Sequence, residues 1–179
     1  RATGLVGVIL PRGSARLMKA TIEQATVPTI ETGTGNCHIY LHATADPQMA
    51  TDIVVNAKTQ RPGVCNAAES LLVDSSKADA LLPPVASALV THGVELVGDD
   101  YARRICSDHG IMMGEATEDD WGCEYLDLKI SVKCVSGIQE AIAHINHYGT
   151  GHSEAIVCTD YSASEAFLAG VDAAAVYVN

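Results

Sequence analysis

Short apolar runs and stretches with helically spaced apolar positions alternate along the whole chain. LVGVILP at 5–11 is a compact apolar run closed by proline and predicts a buried strand. Residues 13–25, GSARLMKATIEQA, predict a helix, and VPTI at 27–30 a second strand before the glycine-rich turn ETGTGN. CHIYL at 37–41 is a third strand. Residues 45–60 begin a helix on Asp46 as N-cap with Pro47 at the first helical position, and Met49, Ile53 and Ala57 share one face with Val54 beside them. RPG at 61–63 ends it.

Further along, ESLLVD (69–74) predicts a strand, and 75–93 a helix with Pro83–Pro84 near its start or at a kink. VELVG (94–98) predicts another strand. Residues 99–123 are polar and irregular, with a short helix at YARRIC and an acidic loop. EYLDLKISVKCV (124–135) reads as one long strand, 136–149 as a helix, 153–159 as a strand, 162–171 as a helix and 173–178 as a last strand. This alternation predicts an α/β layer fold with a mainly parallel sheet.

Composition narrows the function classes. The 179 residues are 47% hydrophobic, enough for a sizeable core. Eleven basic against 22 acidic residues leave a net charge of −11, which argues against a nucleic-acid partner. No apolar run approaches the roughly 20 residues needed to cross a bilayer, and no signal peptide is visible, so no membrane partner is expected. The six cysteines form no Cys-x-x-Cys pair and are spread through a large apolar chain, which fits reduced thiols in a cytoplasmic protein and no metal. The chain starts without methionine and in mid-pattern, and is expected to be part of something longer.

Several residues stand out chemically. Cys65 lies in a break, RPGVCNA, where one helix has ended and the next strand has not begun, with Lys58 and Arg61 just upstream. Nearby cations or a helix N-terminus raise a cysteine's thiolate fraction, though a loop cysteine without a role fits the position equally. Glu31 ends a strand and opens a turn in which Gly33 and Gly35 let backbone approach a ligand; it reads as a proton shuttle or as a solvated turn residue. Gly13 and Ser14 lie between a strand and a helix, where free N–H groups hold phosphate, but many such turns are Gly-Ser. His144 and His147, one helical turn apart, read as a solvated helix face. His152, in YGTGHSE, is better placed for a substrate contact. His38 and His42 are expected on the polar side of their strand.

Taken together, these segments resemble the aldehyde dehydrogenase superfamily, and within it the branch that reduces glutamyl phosphate. The matching stretches are VPTIETGTGNCHIYLHATAD, MATDIVVNAKTQRPGVCNAAESLLV, EYLDL, INHYGTGHSEAIV and DAAAVYVN, which cover nearly all of the chain outside 99–120. Glu31 and Cys65 stand 34 positions apart, the separation the superfamily shows between its glutamate motif and its catalytic cysteine. The resemblance implies that Cys65 is the nucleophile and Glu31 its acid–base partner. It matches Gly13 and Ser14 to the turn that approaches the cofactor pyrophosphate, and Glu124 to the glutamate that holds the nicotinamide ribose. Thr32-Gly33-Thr34 replaces the usual Leu-Gly-Gly, and Leu126, Asp127 and Leu128 replace a phenylalanine and a Gly-Pro. Both departures suit the reductase branch.

That branch implies NADP(H)-dependent reduction of L-glutamyl 5-phosphate to L-glutamate 5-semialdehyde in proline biosynthesis. A thioester forms on Cys65, and a backbone N–H of Cys65 or Asn66 steadies the oxyanion. Arg61, Lys58 and His152 are the candidate contacts for substrate phosphate or carboxylate. The resemblance assigns 1–30 to the end of a cofactor domain and 31–179 to the cysteine-bearing catalytic domain. It also implies a homo-oligomer at full length, glutamate 5-kinase as a partner, and no turnover by these residues alone. Oxidation of a small aldehyde with water as acceptor, and a truncated domain that serves only association, are the alternatives.

Overall fold

A computed structural model describes residues 4–13, 15–30 and 33–179. The chain divides into two units, Arg1–Thr34 and Gly35–Asn179. In the first, helix α1 spans Ala15–Gln24. The two runs expected as strands around it meet at one parallel bridge, Ile9 with Thr29, closed by Ile9 N–H to Pro28 O and Ile30 N–H to Ile9 O, both 2.9 Å. They form no regular strands because Pro28 has no amide hydrogen to donate and two paired segments alone are marginal in water.

The second unit is a three-layer α/β/α structure. Its elements alternate: β1 (Cys37–Leu41), α2 (Pro47–Thr59), β2 (Ala68–Asp74), α3 (Ala78–Thr91), β3 (Glu95–Gly98), α4 (Asp100–Asp108), β4 (Gly114–Glu115), α5 (Glu118–Trp121), β5 (Lys129–Val135), α6 (Ile138–Tyr148), β6 (Ser153–Val157), α7 (Tyr161–Gly170) and β7 (Ala175–Val178). The strands form one sheet in the order β4-β3-β5-β2-β1-β6-β7, and every neighbouring pair is parallel. The expected α/β fold with a mainly parallel sheet is thus realised as an all-parallel one.

Alternation along the strands feeds two cores. Ile39, Leu41, Leu71 and Val73 face the side covered by α2, α3 and α4, while Tyr40 and Leu72 pack with Ala141, Ile145 and Phe167 under α6 and α7. With both faces covered, the central strands read as nearly continuous apolar runs. Helix α2 starts as expected, with Asp46 Oδ1 accepting the Met49 N–H at 2.8 Å and Pro47 next. Its fully buried row is Ala50, Val54 and Lys58, one position round from the face expected. Helix α3 holds both prolines in its interior, with Leu81, Leu82, Val85, Ala86 and Leu89 buried. Tertiary packing there outweighs the hydrogen bonds the prolines delete.

Two stretches differ from the sequence reading. Residues 99–123 are more regular than expected: Asp99 caps α4 by accepting the Ala102 N–H, and β4 forms the sheet edge. Residues 124–128 are not strand, so β5 starts only at Lys129. Leu126 there has φ of 54°, a left-handed conformation that costs a non-glycine residue about 1–2 kcal/mol. Among the described residues no helix is long and apolar enough to cross a membrane.

Candidate active site

The strand order decides where the site lies. Cys65 precedes β2, Gly35 precedes β1, Glu124 precedes β5 and His152 precedes β6. In the sheet these strands run β5-β2-β1-β6, so the four lead-in loops stand side by side at the amino ends of adjacent strands, a row about 14 Å long at the usual strand spacing. Open parallel sheets more often place ligands at the carboxyl ends. Here the cysteine-bearing loop puts the candidate chemistry at the opposite edge.

Cys65 is exposed, within a run of tight turns in which Val64 N–H donates to Arg61 O and Ala67 N–H to Val64 O. Its backbone rests directly on Gly35: a β-carbon built there would stand 1.7 Å from the Cys65 carbonyl oxygen and 2.9 Å from its Cα. No residue but glycine fits that approach. The buried Cys37 thiol donates to the same carbonyl at 3.3 Å. Burial, with Glu154 nearby, pushes the Cys37 thiol up to about 12, so Cys37 stays protonated and serves as a donor. His152 Nδ1 lies 3.9 Å from Cys37 Sγ and 2.7 Å from Ser153 Oγ, on the far side of Cys37 from Cys65 in strand order.

Glu124 stands on the other flank. Its Oε1 accepts the Gly35 N–H at 2.7 Å, and among the described residues Oε2 has no hydrogen-bond partner. A half-buried carboxylate with one oxygen fixed and the other open suits a ligand hydroxyl, such as that of a ribose. Asn66 and Arg61 are exposed beside Cys65. Gly13, in the first unit, has φ of 145°, a conformation that favours glycine, and a β-carbon on it would meet Leu17 Cδ2 at 2.7 Å. Glu31 and Ser14 lie outside the described residues.

Three expectations are corrected. Lys58 is fully buried and donates to Glu69 Oε2 at 2.6 Å, which leaves it no surface to offer a substrate. It sits four residues after Val54 on the buried row of α2, and that spacing was the signal for its burial. His144 is not on a solvated face. It is buried against His38, Trp121 and Tyr148, and burial, with His38, Lys133 and His147 nearby, pulls its pKa down to about 3. His38 is buried as well, its N–H donating to Glu154 Oε2 at 2.7 Å and its Nδ1 3.1 Å from the same oxygen.

Two supporting residues were missed in the sequence. Asn36, wholly buried, donates from Nδ2 to the carbonyls of Trp121 (2.9 Å) and Tyr148 (3.0 Å), and its N–H donates to Thr150 Oγ1 at 3.1 Å. It thereby fastens the lead-in of β1 to the segments before β5 and β6. Glu69 is a wholly buried carboxylate near the start of a central strand, and a buried charge of this kind signals a partner. A separate cavity of about 710 Å³ opens at the β3–β4 edge, lined by Val90, Leu96, Arg103, Ile111 and Met113 among others, and holds none of the candidate site residues.

An exposed cysteine seated on glycine, with a carboxylate on one flank and a histidine on the other, is an arrangement chemically able to support covalent acyl chemistry. Comparison with known proteins shows what the chain is similar to. The chain is 56% identical over 172 residues to a gamma-glutamyl phosphate reductase of Caldicellulosiruptor saccharolyticus, covering 96% of this chain and 41% of that protein. Along its whole length the chain is homologous to the gamma-glutamyl phosphate reductases. The reductase of Listeria monocytogenes is 52% identical over all 179 residues, which cover 42% of its length. The crystal structure of the gamma-glutamyl phosphate reductase of Thermotoga maritima superposes with a TM-score of 0.91 at 48% identity, over 97% of this chain and 41% of that one. An acetylating aldehyde dehydrogenase of Geobacillus thermoglucosidasius shares the fold, with a TM-score of 0.74 at 21% identity over 98% of this chain and 46% of that one. The chain therefore spans about two fifths of the length of the gamma-glutamyl phosphate reductases it matches. No family model matches it.

Proposed function

We propose that this chain is the cysteine-bearing part of an enzyme that reduces L-glutamyl 5-phosphate to L-glutamate 5-semialdehyde, releasing phosphate, in proline biosynthesis. The observation that supports this best is the exposed Cys65 seated on Gly35, itself tied to Glu124.

Cys65, as thiolate, attacks the acyl carbonyl carbon. The C–S bond forms, the C–O bond to phosphate breaks, and phosphate leaves with the electron pair. Phosphate is a good leaving group, so no strong acid is required opposite the nucleophile. Backbone N–H groups of Cys65 or Asn66 donate to the oxyanion, each worth about 3–4 kcal/mol in comparable sites. A nicotinamide cofactor, NADPH in this proposal, supplies when bound the hydride that the thioester carbonyl accepts. The C–S bond then breaks, releasing the aldehyde and returning the thiolate. Glu124 Oε2 takes a cofactor ribose hydroxyl, and the sequence resemblance assigns the pyrophosphate to Gly13 and Ser14. Arg61 and His152 meet the substrate's phosphate or carboxylate. Glu31 is held off water, since hydrolysis would waste the thioester.

The test uses the protein at the length of its relatives. With glutamate semialdehyde, phosphate and NADP, the reverse reaction is expected, and Cys65→Ser is expected to abolish it. Mass spectrometry should find the acyl group on Cys65. Turnover retained by Cys65→Ser, or oxidation of simple aldehydes without phosphate, would overturn the proposal.

A further inference from the structure

We infer that the buried Lys58–Glu69 pair is a brace that sets the loop carrying Glu124, and so acts as a positioning device for the cofactor side of the site. The role in cofactor binding rests on the function proposed above; the brace itself does not.

Glu69 is the second residue of β2, and Lys58 lies in the last turn of α2. Both side chains are fully buried, and each carboxylate oxygen has its own task. Oε2 takes the Lys58 ammonium at 2.6 Å, while Oε1 accepts the N–H of Leu126 at 3.1 Å. Leu126 is the residue in the left-handed conformation, and its side chain is half exposed, so packing does not hold it there. Two residues earlier, Glu124 reaches Gly35. Three residues later, β5 begins with the local bond from Lys129 N–H to Asp127 O at 2.8 Å. The loop is therefore pinned at Glu124, at Tyr125, whose hydroxyl donates to Asp120 Oδ1 at 2.8 Å, and at Leu126; of these, the Leu126 pin is the one that holds the backbone from a strand of the sheet.

The chemistry of the pair fits that task. A carboxylate offers two acceptor oxygens, whereas an amide offers one and turns a donor toward any cation. Burial pushes the Glu69 carboxyl up and the Lys58 ammonium down, and the hydrogen bond and charge between the two oppose both shifts. A buried ion pair is weak as a source of stability compared with apolar residues of similar volume. At this place its distinct contribution is the acceptor it presents to Leu126.

Two double variants of the protein at the length of its relatives separate the roles. Lys58→Met with Glu69→Leu removes both charges and the acceptor; Lys58→Met with Glu69→Gln removes both charges and keeps a carbonyl oxygen for Leu126. Hydrogen exchange over 122–129 and the dissociation constant of NADPH, read by nicotinamide fluorescence, are measured on both. The leucine form is expected to exchange that segment about tenfold faster and to bind NADPH about tenfold more weakly, with the KM for phosphate unchanged; the glutamine form recovers most of both losses. Equal behaviour of the two forms, or unaltered exchange in the leucine form, would overturn the brace. Should neither variant fold, the wild-type Leu126 amide decides the matter by NMR: protection comparable to β5 supports the brace and fast exchange refutes it. A wild type that binds no nicotinamide cofactor would sink the proposed function while leaving the exchange result to judge the brace.

Discussion

Gly35 lies so close beneath Cys65 that a single added methyl group would overlap the cysteine's carbonyl oxygen, 1.7 Å from the position of its β-carbon. Gly35→Ala must therefore push the Cys65 turn outward, since Gly35 is also held by Glu124. Misplacing a reacting group by about 1 Å costs on the order of 100-fold in rate, and a loss of kcat/KM of that size is expected. Gly63→Ala is the control: the nearest atom to its added β-carbon is 3.9 Å away, and activity should stay near wild type.

All six cysteines are free, but only Cys65 is exposed; Cys123 and Cys134 are half-buried, and Cys37, Cys106 and Cys158 are buried. Burial also pushes the Cys106 thiol up to about 11 and raises the Cys134 thiol. Brief alkylation with iodoacetamide at neutral pH, followed by peptide mapping, should label Cys65 first. Labelling of Cys37 or Cys134 ahead of it would contradict the burial described.

Removing Lys58 alone should be worse for stability than removing the pair. Lys58→Met leaves Glu69 buried without its cation, and breaking a buried pair this way costs about 3–5 kcal/mol. The Lys58→Met, Glu69→Leu double variant is expected to recover much of that loss in urea denaturation. An additive result would mean that the two side chains are not coupled.

His144 gives stability an acid limit. Its folded-state pKa is pulled down to about 3 by burial, with His38, Lys133 and His147 adding repulsion. Between its ordinary value near 6.5 and about 3, the unfolded chain binds a proton that the folded chain refuses. The stability conferred by neutral His144 is thus complete above pH ~6.5 and declines as pH falls toward 3, by up to about 1.4 kcal/mol per unit. His144→Gln cannot titrate and should flatten that part of the curve of unfolding free energy against pH. An unchanged slope would assign the acid sensitivity to other groups.

Much of this architecture was legible in the chain itself. CHIYL, ESLLVD and SEAIV are apolar runs too short for helices, and all three are central strands. EYLDL was misread because its alternation is indistinguishable from strand locally; the bonds from Leu126 N–H to Glu69 and from Gly35 N–H to Glu124, 57 and 89 residues away, hold it as a loop. His144 was misread because the face it covers is supplied by Trp121 and His38, which helical spacing alone does not reveal.

Sequence by itself predicted the α/β alternation from β1 to β7 apart from β4 and α5, because secondary structure follows from local periodicity and turn chemistry, and its family resemblance singled out Cys65. Only the tertiary structure decided that the loops before β5, β2, β1 and β6 become neighbours, that Gly35 underlies Cys65, and that Lys58 is spent inside the molecule. Strand order is a property of non-local packing: which segments pair depends on how both faces of the sheet are covered at once, and no window of residues contains that information.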